Sequence, residues 1–392
     1  MKTERNNLFT YKDLPEKEKR NLAIFDLIRK KGLISKPEIS KVTGINIVSV
    51  SNYIENYIAK KLISEKESGV SSGGRKPELI ELNKKDRFVV GVDMGLNGTC
   101  LTLADLEAKP VKQSAISGKI AGGISELSDS ILSKLEDLLK ISSLDFASLG
   151  AIGLAVFDGR YLDVAPAISK RLGIDVFVGG AAQCAAFGER WSWEGHENED
   201  LLYIHSDLGR GIFIKGSECF GAVGANSEIG SIENSGTYAE NSNELREELN
   251  YLRPWSPVLG VVASARAQVA RGIGTKIVDT ASGSLDNITV SAVINAAKEN
   301  DKVASDILKQ VGTNLGVRIA YLINALNPKI VIIGGGIEPA GDIVLDPIKS
   351  IVNRYAFKKQ VGRVKIRSGV LGPDAVCVGA ASLAVREIFL RA

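Results

Sequence analysis

Over the first sixty residues apolar side chains recur at three- and four-residue intervals, the spacing of helices that bury one face. Leu22, Phe25 and Ile28, with Ile24 and Leu27 beside them, form one stripe. It ends at Gly32, after Arg29, Lys30 and Lys31, where positive charge suits a helix C-terminus. A second, short helix is predicted in ISKPEISKVTG: Ser35 caps it, Glu38 completes a capping box, Pro37 sits in the first turn and Ile34 staples onto Ile39. Gly44 ends it, and Asn46 caps a third helix. The expected inward stripe there is Val50, Ile54, Tyr57 and Ile58, with Val48, Ser49, Ser51, Asn52, Glu55 and Asn56 facing out. Three helices with a tight glycine turn before the third predict a helix-turn-helix.

The period then shortens. LISEKES and PELIELN predict two strands around GVSSGGRK, a polar, glycine-rich tip carrying Arg75 and Lys76, which together make a wing. The third helix has no Lys or Arg in its first two turns. Base contacts are therefore expected from Val48, Ser49, Ser51 and Asn52, with Asn46 at the helix start. Arg75 and Lys76 would attract backbone and minor groove.

Beyond residue 86 buried strands alternate with glycine-rich corners. RFVVGVDMGLNGTCLTLADL predicts a strand, a turn and a second strand, with Asp93 and Gly95 placed as in an anion-binding hairpin. VFVGGAAQCAAFGER predicts a buried strand running into a helix that opens on small residues, with no side chain able to take a proton at the corner. NPKIVIIGGGIEPAGD predicts an apolar strand followed by Gly334, Gly335 and Gly336, which leave space for an adenosine or for close packing. The pattern is that of a two-lobed α/β body with a cleft.

Composition narrows the class. The 392 residues, 44% hydrophobic with 40 glycines, suffice for several cores and exclude a disordered or fibrous chain. Cys100, Cys184, Cys219 and Cys377 are scattered without metal-ligand spacing, so reduced thiols and a cytoplasmic location are expected. The first residues are too charged for a signal peptide, and no apolar run reaches membrane-spanning length. Net charge is +3, but residues 1–87 hold 19 Lys and Arg against 12 Asp and Glu, leaving 30 against 34 for the remainder. A basic module on a mildly acidic body points to a polyanion as partner of the module.

These motifs, in this order, resemble the ROK family of bacterial sugar repressors and sugar kinases: SGGRKP in the wing, GVDMGLNGTCLTLADL, GLAVFDG at 153–159, VFVGGAAQCAAFGER, DLGRGIFIKG with SEIG at 227–230, and NPKIVIIGGGI. The resemblance implies an α/β fold, an N-terminal winged helix-turn-helix followed by a two-lobed actin-like, ribonuclease-H-like ATPase body. The expected divisions are a DNA-binding domain at 1–86, a small lobe at 87–175 completed by 373–392, and a large lobe with the dimerisation surface at 176–372.

The resemblance also shows what has been lost. Aligned on Gly188 and Glu189, the motif that carries the family's catalytic Asp has Ala181 at that position, Gly180 for the first Asn and Gln183 for the second. Asn97 stands for the hairpin hydroxyl, and Asp207, Leu208, Gly209 for a Gly-Thr-Gly phosphate turn. Glu228 survives from the sugar-binding Glu-x-Gly-His while Ser231 replaces its His, and the zinc-loop cysteines are absent. The implied protein is a DNA-binding transcriptional regulator, a repressor, with a catalytically inactive kinase-like body and no cofactor or metal. Its expected partners are a double-stranded operator, a sugar effector held by residues among Asp93, Gly95, Asn97, Glu228 and Gly334–336, and a second copy of itself. The alternative is an ATP-dependent sugar kinase, of glucokinase or N-acetylglucosamine kinase type, with an accessory DNA-binding domain.

Overall fold

The structure, a computed structural model, describes residues 14–67, 78–95, 98–117, 122–157, 159–193, 199–206, 210–215, 218–219, 228–229, 257–281 and 284–392. Two compact units divide it: Met1–Gly195 with Val376–Ala392, and His196–Ala375.

The first unit opens with α1 (Glu16–Lys31), α2 (Lys36–Thr43) and α3 (Ile47–Ala59). Local chemistry sets their ends. Ser35 Oγ accepts from the Glu38 N–H at 3.4 Å, Asn46 Oδ1 accepts from the Ser49 N–H at 2.8 Å, and Gly44 closes α2 in the left-handed conformation at φ 71°. Val50, Ile54 and Tyr57 are buried as expected, but Ile58 is not: it is 36% exposed, because the inward stripe of so short a helix ends at Tyr57. Ile34–Ser35 forms an additional strand, β1, which pairs with β3 (Glu78–Leu82); β2 (Ile63–Glu67) lies on the other side of β3, giving the order β1-β3-β2.

A five-stranded sheet follows, ordered β6-β5-β4-β7-β8, from β4 (Phe88–Gly95), β5 (Gly98–Ala104), β6 (Pro110–Ser117), β7 (Leu149–Val156) and β8 (Val176–Gly180). The first three strands form an antiparallel meander, while β4, β7 and β8 run parallel. Helices α4 (Ile124–Ile141) and α5 (Val164–Leu172) bury Ile131, Leu135 and Ile168 with Ile152 and Leu154 of the sheet. On the other face lie α6 (Ala181–Trp191) and the C-terminal helix Ala375–Leu390. A Cβ at Gly153 would strike the Ala380 carbonyl, and one at Gly379 the Cys184 carbonyl, so glycine alone permits these backbones to approach so closely. The division between units falls later in the chain than the expected 175/176, since β8 pairs with β7 and carries α6 with it.

In the second unit β9 (Leu201–His205) is central, bonded antiparallel to β10 (Arg210–Lys215) and parallel to β13 (Ile330–Gly334). β11 (Glu218–Cys219) and β12 (Glu228–Ile229) pair with β10, and β14 (Lys365–Ser368) with β13. Leu202, Ile204, Val331 and Ile333 pack with α7 (Pro257–Ala270), α8 (Val290–Lys298), α9 (Lys302–Leu326) and α10 (Asp342–Tyr355). The C-terminal helix is α11. Among the described residues no helix is long and apolar enough to cross a membrane, and no cluster of side chains has the make-up of a metal site.

Candidate functional site

The first half of α3 presents a polar and apolar face with no cation. Asn46 and Asn52 are exposed, Val48 is 68% exposed, and Ser49 and Ser51 are half-buried. Ile47 and Val42 are exposed as well, at 43% and 57%, which sequence reasoning missed. Two β-branched residues outside the buried stripe and beside a glycine turn were the available signal. Such groups suit the methyl edges of thymines in a major groove. Lys36 does not belong to this face: its ammonium bonds to Glu65 at 3.1 Å and Glu78 at 3.5 Å, tying α2 to the hairpin. Burial works against that charge, and the two carboxylates outweigh it, so the Lys36 pKa is raised. Arg75 and Lys76 lie outside the described residues, as does Asn97.

A second candidate site lies where β4, β7 and β8 end. Their register sets Asp93 level with Ala155, and Ala155 level with Gly179, at the carboxyl edge where open α/β sheets bind ligands. Asp93 and Gly179 are thus two strand spacings apart, about 10 Å. The Asp93 carboxylate lies beside the hairpin turn: a Cβ on Gly95 would sit 3.7 Å from its Oδ2. Ala181, 2% exposed, is the first residue of α6. Gln183 turns back so that its Oε1 accepts from the Gly180 N–H at 3.2 Å. The corner is therefore capped by an amide, and the first residue of α6 is an alanine, whose methyl group cannot accept a proton.

In the second unit Gly334 and Gly335 are packed closely, whereas Gly336, at φ 100°, has open space where a Cβ would stand. A Cβ on Gly334 would strike the Tyr203 hydroxyl, and one on Gly335 would lie 2.5 Å from His205 Nδ1. Ser206 is bonded to the same turn, its N–H to the Gly334 carbonyl at 2.7 Å and its hydroxyl to that of Gly335 at 2.8 Å. The Gly336 N–H, the group such a turn offers to an anion, donates instead to Glu338 Oε2 at 2.6 Å. A carboxylate already holds that place. Of Glu228 the structure gives only the backbone, in β12 pairing with Ile212; Asp207 and the loop that replaces the cysteines lie outside the described residues.

The two ends of the first unit meet at α6. Phe25 of α1 stacks on Phe389 of α11 with ring centres 4.1 Å apart, and Tyr57 of α3 meets the same ring edge-on at 5.1 Å. The Tyr57 hydroxyl donates to Asn21 Oδ1 at 2.9 Å, and Asn21 Nδ2 donates to the Leu390 carbonyl at 3.3 Å. Burial, and then the charges of Tyr53 and Asp26, raise the Tyr57 pKa and keep its phenol protonated. Trp191, the last residue of α6, lies 5.8 Å from Phe25 between ring centres, and its indole N–H donates to the Glu107 carbonyl at 3.0 Å. The winged helix is seated on the body through aromatic stacking and satisfied hydrogen bonds.

These features define a three-helix module with a β-hairpin, joined to an α/β body that carries alanine at the first turn of α6. The chain belongs to the ROK family, whose model matches residues 89–244 and 259–387. It is 24% identical over 392 residues to the xylose repressor of Caldicellulosiruptor bescii, covering 95% of this chain and 96% of that one. It is 26% identical to the DNA-binding transcriptional dual regulator NagC of Escherichia coli, covering 87% and 86%. Its fold is shared with a ROK family transcriptional regulator, a homolog of the E. coli MLC protein, at a TM-score of 0.73, 20% identity and coverage of 96% and 98%. It is also shared, over 76% of this chain, with the ROK family glucokinase of Streptomyces griseus at a TM-score of 0.62 and 23% identity.

Proposed function

We propose that this protein is a DNA-binding transcriptional regulator, acting as a repressor, whose body transfers no phosphoryl group and instead receives a sugar or sugar derivative and positions the winged helix. The observation that carries this reading is α6. One helix runs from Ala181 at the ligand edge of the sheet to Trp191 beneath α1, so a change at its first turn reaches the DNA-binding module without crossing a loop. The names of the xylose repressor and NagC support the same reading.

The second reading, a sugar kinase, draws on the glucokinase fold. Against it stand Ala181 at the base position and Glu338 on the Gly336 N–H.

A homodimer completes the reading. Val317, Tyr321, Tyr355 and Phe357 are 53%, 72%, 55% and 64% exposed. Asn324 holds the last two in place: its Oδ1 accepts from the Phe357 N–H at 2.8 Å, and its Nδ2 donates to the Tyr355 carbonyl at 3.4 Å. A rigid aromatic surface of this kind suits a self-complementary interface, and a dimer places two α3 helices on half-sites one or two helical turns apart.

The deciding experiment is fluorescence anisotropy of the full chain against duplexes tiling its own upstream region, with random duplex of equal length as the comparison. A roughly palindromic site bound at least about 10³-fold tighter is expected. Equal affinity for all duplexes at low salt, with sugars absent, would refute the reading.

A further inference from the structure

Where the winged helix meets the first lobe there is a cavity of about 860 Å³ that neither the DNA-reading face nor the kinase-like corner uses. One wall is the turn after α3, with Lys60 and Lys61, and the linker residues Lys85 and Arg87. The other is the body's loop from Leu144 to Ser148 and Arg391 of the C-terminal segment. Its volume is that of a small-molecule site.

The charges facing it are unbalanced. Five cations line it against three carboxylates, Asp86, Asp145 and Asp175. Arg391 is paired with Glu387 at 3.6 Å, and Asp145 Oδ1 accepts from the Ser148 N–H at 3.0 Å and the Ser148 hydroxyl at 2.9 Å, so four cations remain against the three carboxylates. Among the described residues neither Lys61 nor Lys85 has an ion-pair partner, and the Lys60 ammonium donates to a neutral group, the Arg391 carbonyl, at 3.0 Å. Burial, and then Lys17, disfavour charge on Lys60, and burial does the same to Arg87.

Arg87 is the most informative of these cations. Its Nη1 donates to the Ala147 carbonyl at 2.8 Å, which fixes the guanidinium, while its Nε is buried with no partner. Gly150 makes room for it, as a Cβ there would lie 3.3 Å from that Nε. Lys61 is held in the left-handed region at φ 57° by its own N–H bonded to Ile58 and its carbonyl bonded to Asn83. Lys61, fixed by the turn that closes α3, and the half-buried guanidinium of Arg87 thus line one cavity with their positive charges held in place, and a bound anion would offset that charge.

We propose that this cavity is a binding site for a small phosphate-bearing molecule, its phosphate oxygens bonded by Lys61, Lys85 and Arg87. The remaining guanidinium nitrogen of Arg87, Nη2, and the point charge of Lys61 suit phosphate oxygens. A DNA backbone is the other source of phosphate, and the geometry disfavours it. The 13-residue α3 puts Lys60 about 20 Å from the Asn46 end that faces outward toward bases, and the body's loop closes the far wall of the cavity.

The test is titration calorimetry of the full chain with inorganic pyrophosphate at constant ionic strength, using wild type and the double variant Lys61→Asn, Lys85→Gln. Asparagine tolerates the left-handed backbone and both side chains are exposed, so the fold is retained, which circular dichroism checks. Saturable binding near one per chain, weakened at least about tenfold in the double variant while affinity for random duplex DNA is unchanged, is the expected result. Absence of saturable binding in wild type, or equal binding by both proteins, overturns the site. So does a matching loss of DNA affinity in the variant, which would make these lysines DNA contacts. The site does not depend on the body's sugar-sensing role, and its failure would leave that reading untouched.

Discussion

The guanidinium of Arg29 lies 4.4 Å from the centre of the Trp191 ring, and its Nη1 donates to the Trp191 carbonyl at 3.2 Å. One side chain of the DNA-binding module thus holds both the ring and the backbone at the end of α6. A cation over an indole is worth about 0.5–2 kcal/mol, and a hydrogen bond from a charged donor about 1.5–3 kcal/mol. Arg29→Ala is expected to destabilise the first unit by about 2–5 kcal/mol on these magnitudes and to shift tryptophan emission. Urea unfolding followed by fluorescence, with far-UV circular dichroism as a second probe, checks this. An unchanged midpoint would mean that the contact carries no coupling.

Restoring the missing carboxylate should not restore a kinase. In Ala181→Asp an acidic group at the first turn of α6 gains from the helix dipole, but the position is buried and the Gly336 N–H remains bonded to Glu338. Both wild type and variant are expected to show no turnover above background in a coupled assay with ATP and a hexose and amino-sugar panel. Turnover of about 1 s⁻¹ or more by either would contradict this.

Asp301 supplies a test of the second unit. It caps α9, where its Oδ1 accepts from the Ala304 N–H at 2.8 Å and the Thr275 hydroxyl at 3.0 Å, and its Oδ2 accepts from the Lys276 N–H at 2.8 Å. Burial raises its pKa, but the backbone donors outweigh it and the net direction is downward. The carboxylate therefore contributes stability that is complete above the ordinary Asp value, about 3.9, and is lost as pH falls through the depressed folded value. Asp301→Ala is expected to cost at least the ~1–2 kcal/mol of a lost N-cap at pH 7. The difference from wild type should shrink in strong acid, as measured by thermal unfolding from pH 7 to 2.

How much of this was legible in the sequence depends on the range of the interaction. Ser35, Asn46 and Gly44 declare the ends of α2 and α3 through bonds spanning four residues or fewer, so the winged helix could be read directly. The same local logic assigned Ile34 to a hydrophobic staple and missed its pairing with Ile80, which only the folded sheet supplies. Ile58 was placed inside by counting a period past the point where α3 still has a neighbour. Ala181 was visible because a motif gave it a frame. The capture of the Gly336 N–H by Glu338, the seat of Phe25 on Phe389 and the orphaned Arg87 Nε had no such frame. The first depends on how one turn folds back, and the other two join residues far apart in the chain.

Cys377 should be an unreactive thiol. Its Sγ donates to the Cys100 carbonyl at 3.3 Å, and the hydrogen bond to Cys100, then burial, then the Asp93 charge raise its pKa well above the ordinary thiol value. The thiolate is the nucleophile, so alkylation of native protein should modify Cys377 far more slowly than the same cysteine in urea. The linkage has one sign: the neutral thiol contributes stability that is complete below the unfolded value, about 8.5, and is lost as pH rises through the higher folded value. Pulsed iodoacetamide labelling with mass spectrometry from pH 7 to 10 checks both points. Rapid native labelling of Cys377 at pH 8 would contradict the placement of Asp93 beside it.

The last prediction separates the two parts of the DNA-binding module. Asn52 is exposed on α3, where an amide is suited to a base edge, whereas Arg75 and Lys76 belong to the wing sequence and are expected to serve phosphates and the minor groove. Asn52→Ala should cost about 1–3 kcal/mol on the cognate site, relax preference at one position and leave binding to random duplex unchanged. Replacing Arg75 and Lys76 together by alanine should weaken binding to every sequence and flatten the salt dependence, each lost phosphate contact removing about 0.9 from the slope of log K against log salt. Val48→Ser adds a third arm: if its exposed side chain packs on a thymine methyl, the loss should vanish on a site where that thymine is replaced by cytosine. Anisotropy titrations of the three variants between 50 and 200 mM salt, about the range over which such contacts separate, read all of this. A uniform loss in Asn52→Ala, with an unchanged salt slope in the wing variant, would reverse the assigned roles of helix and wing.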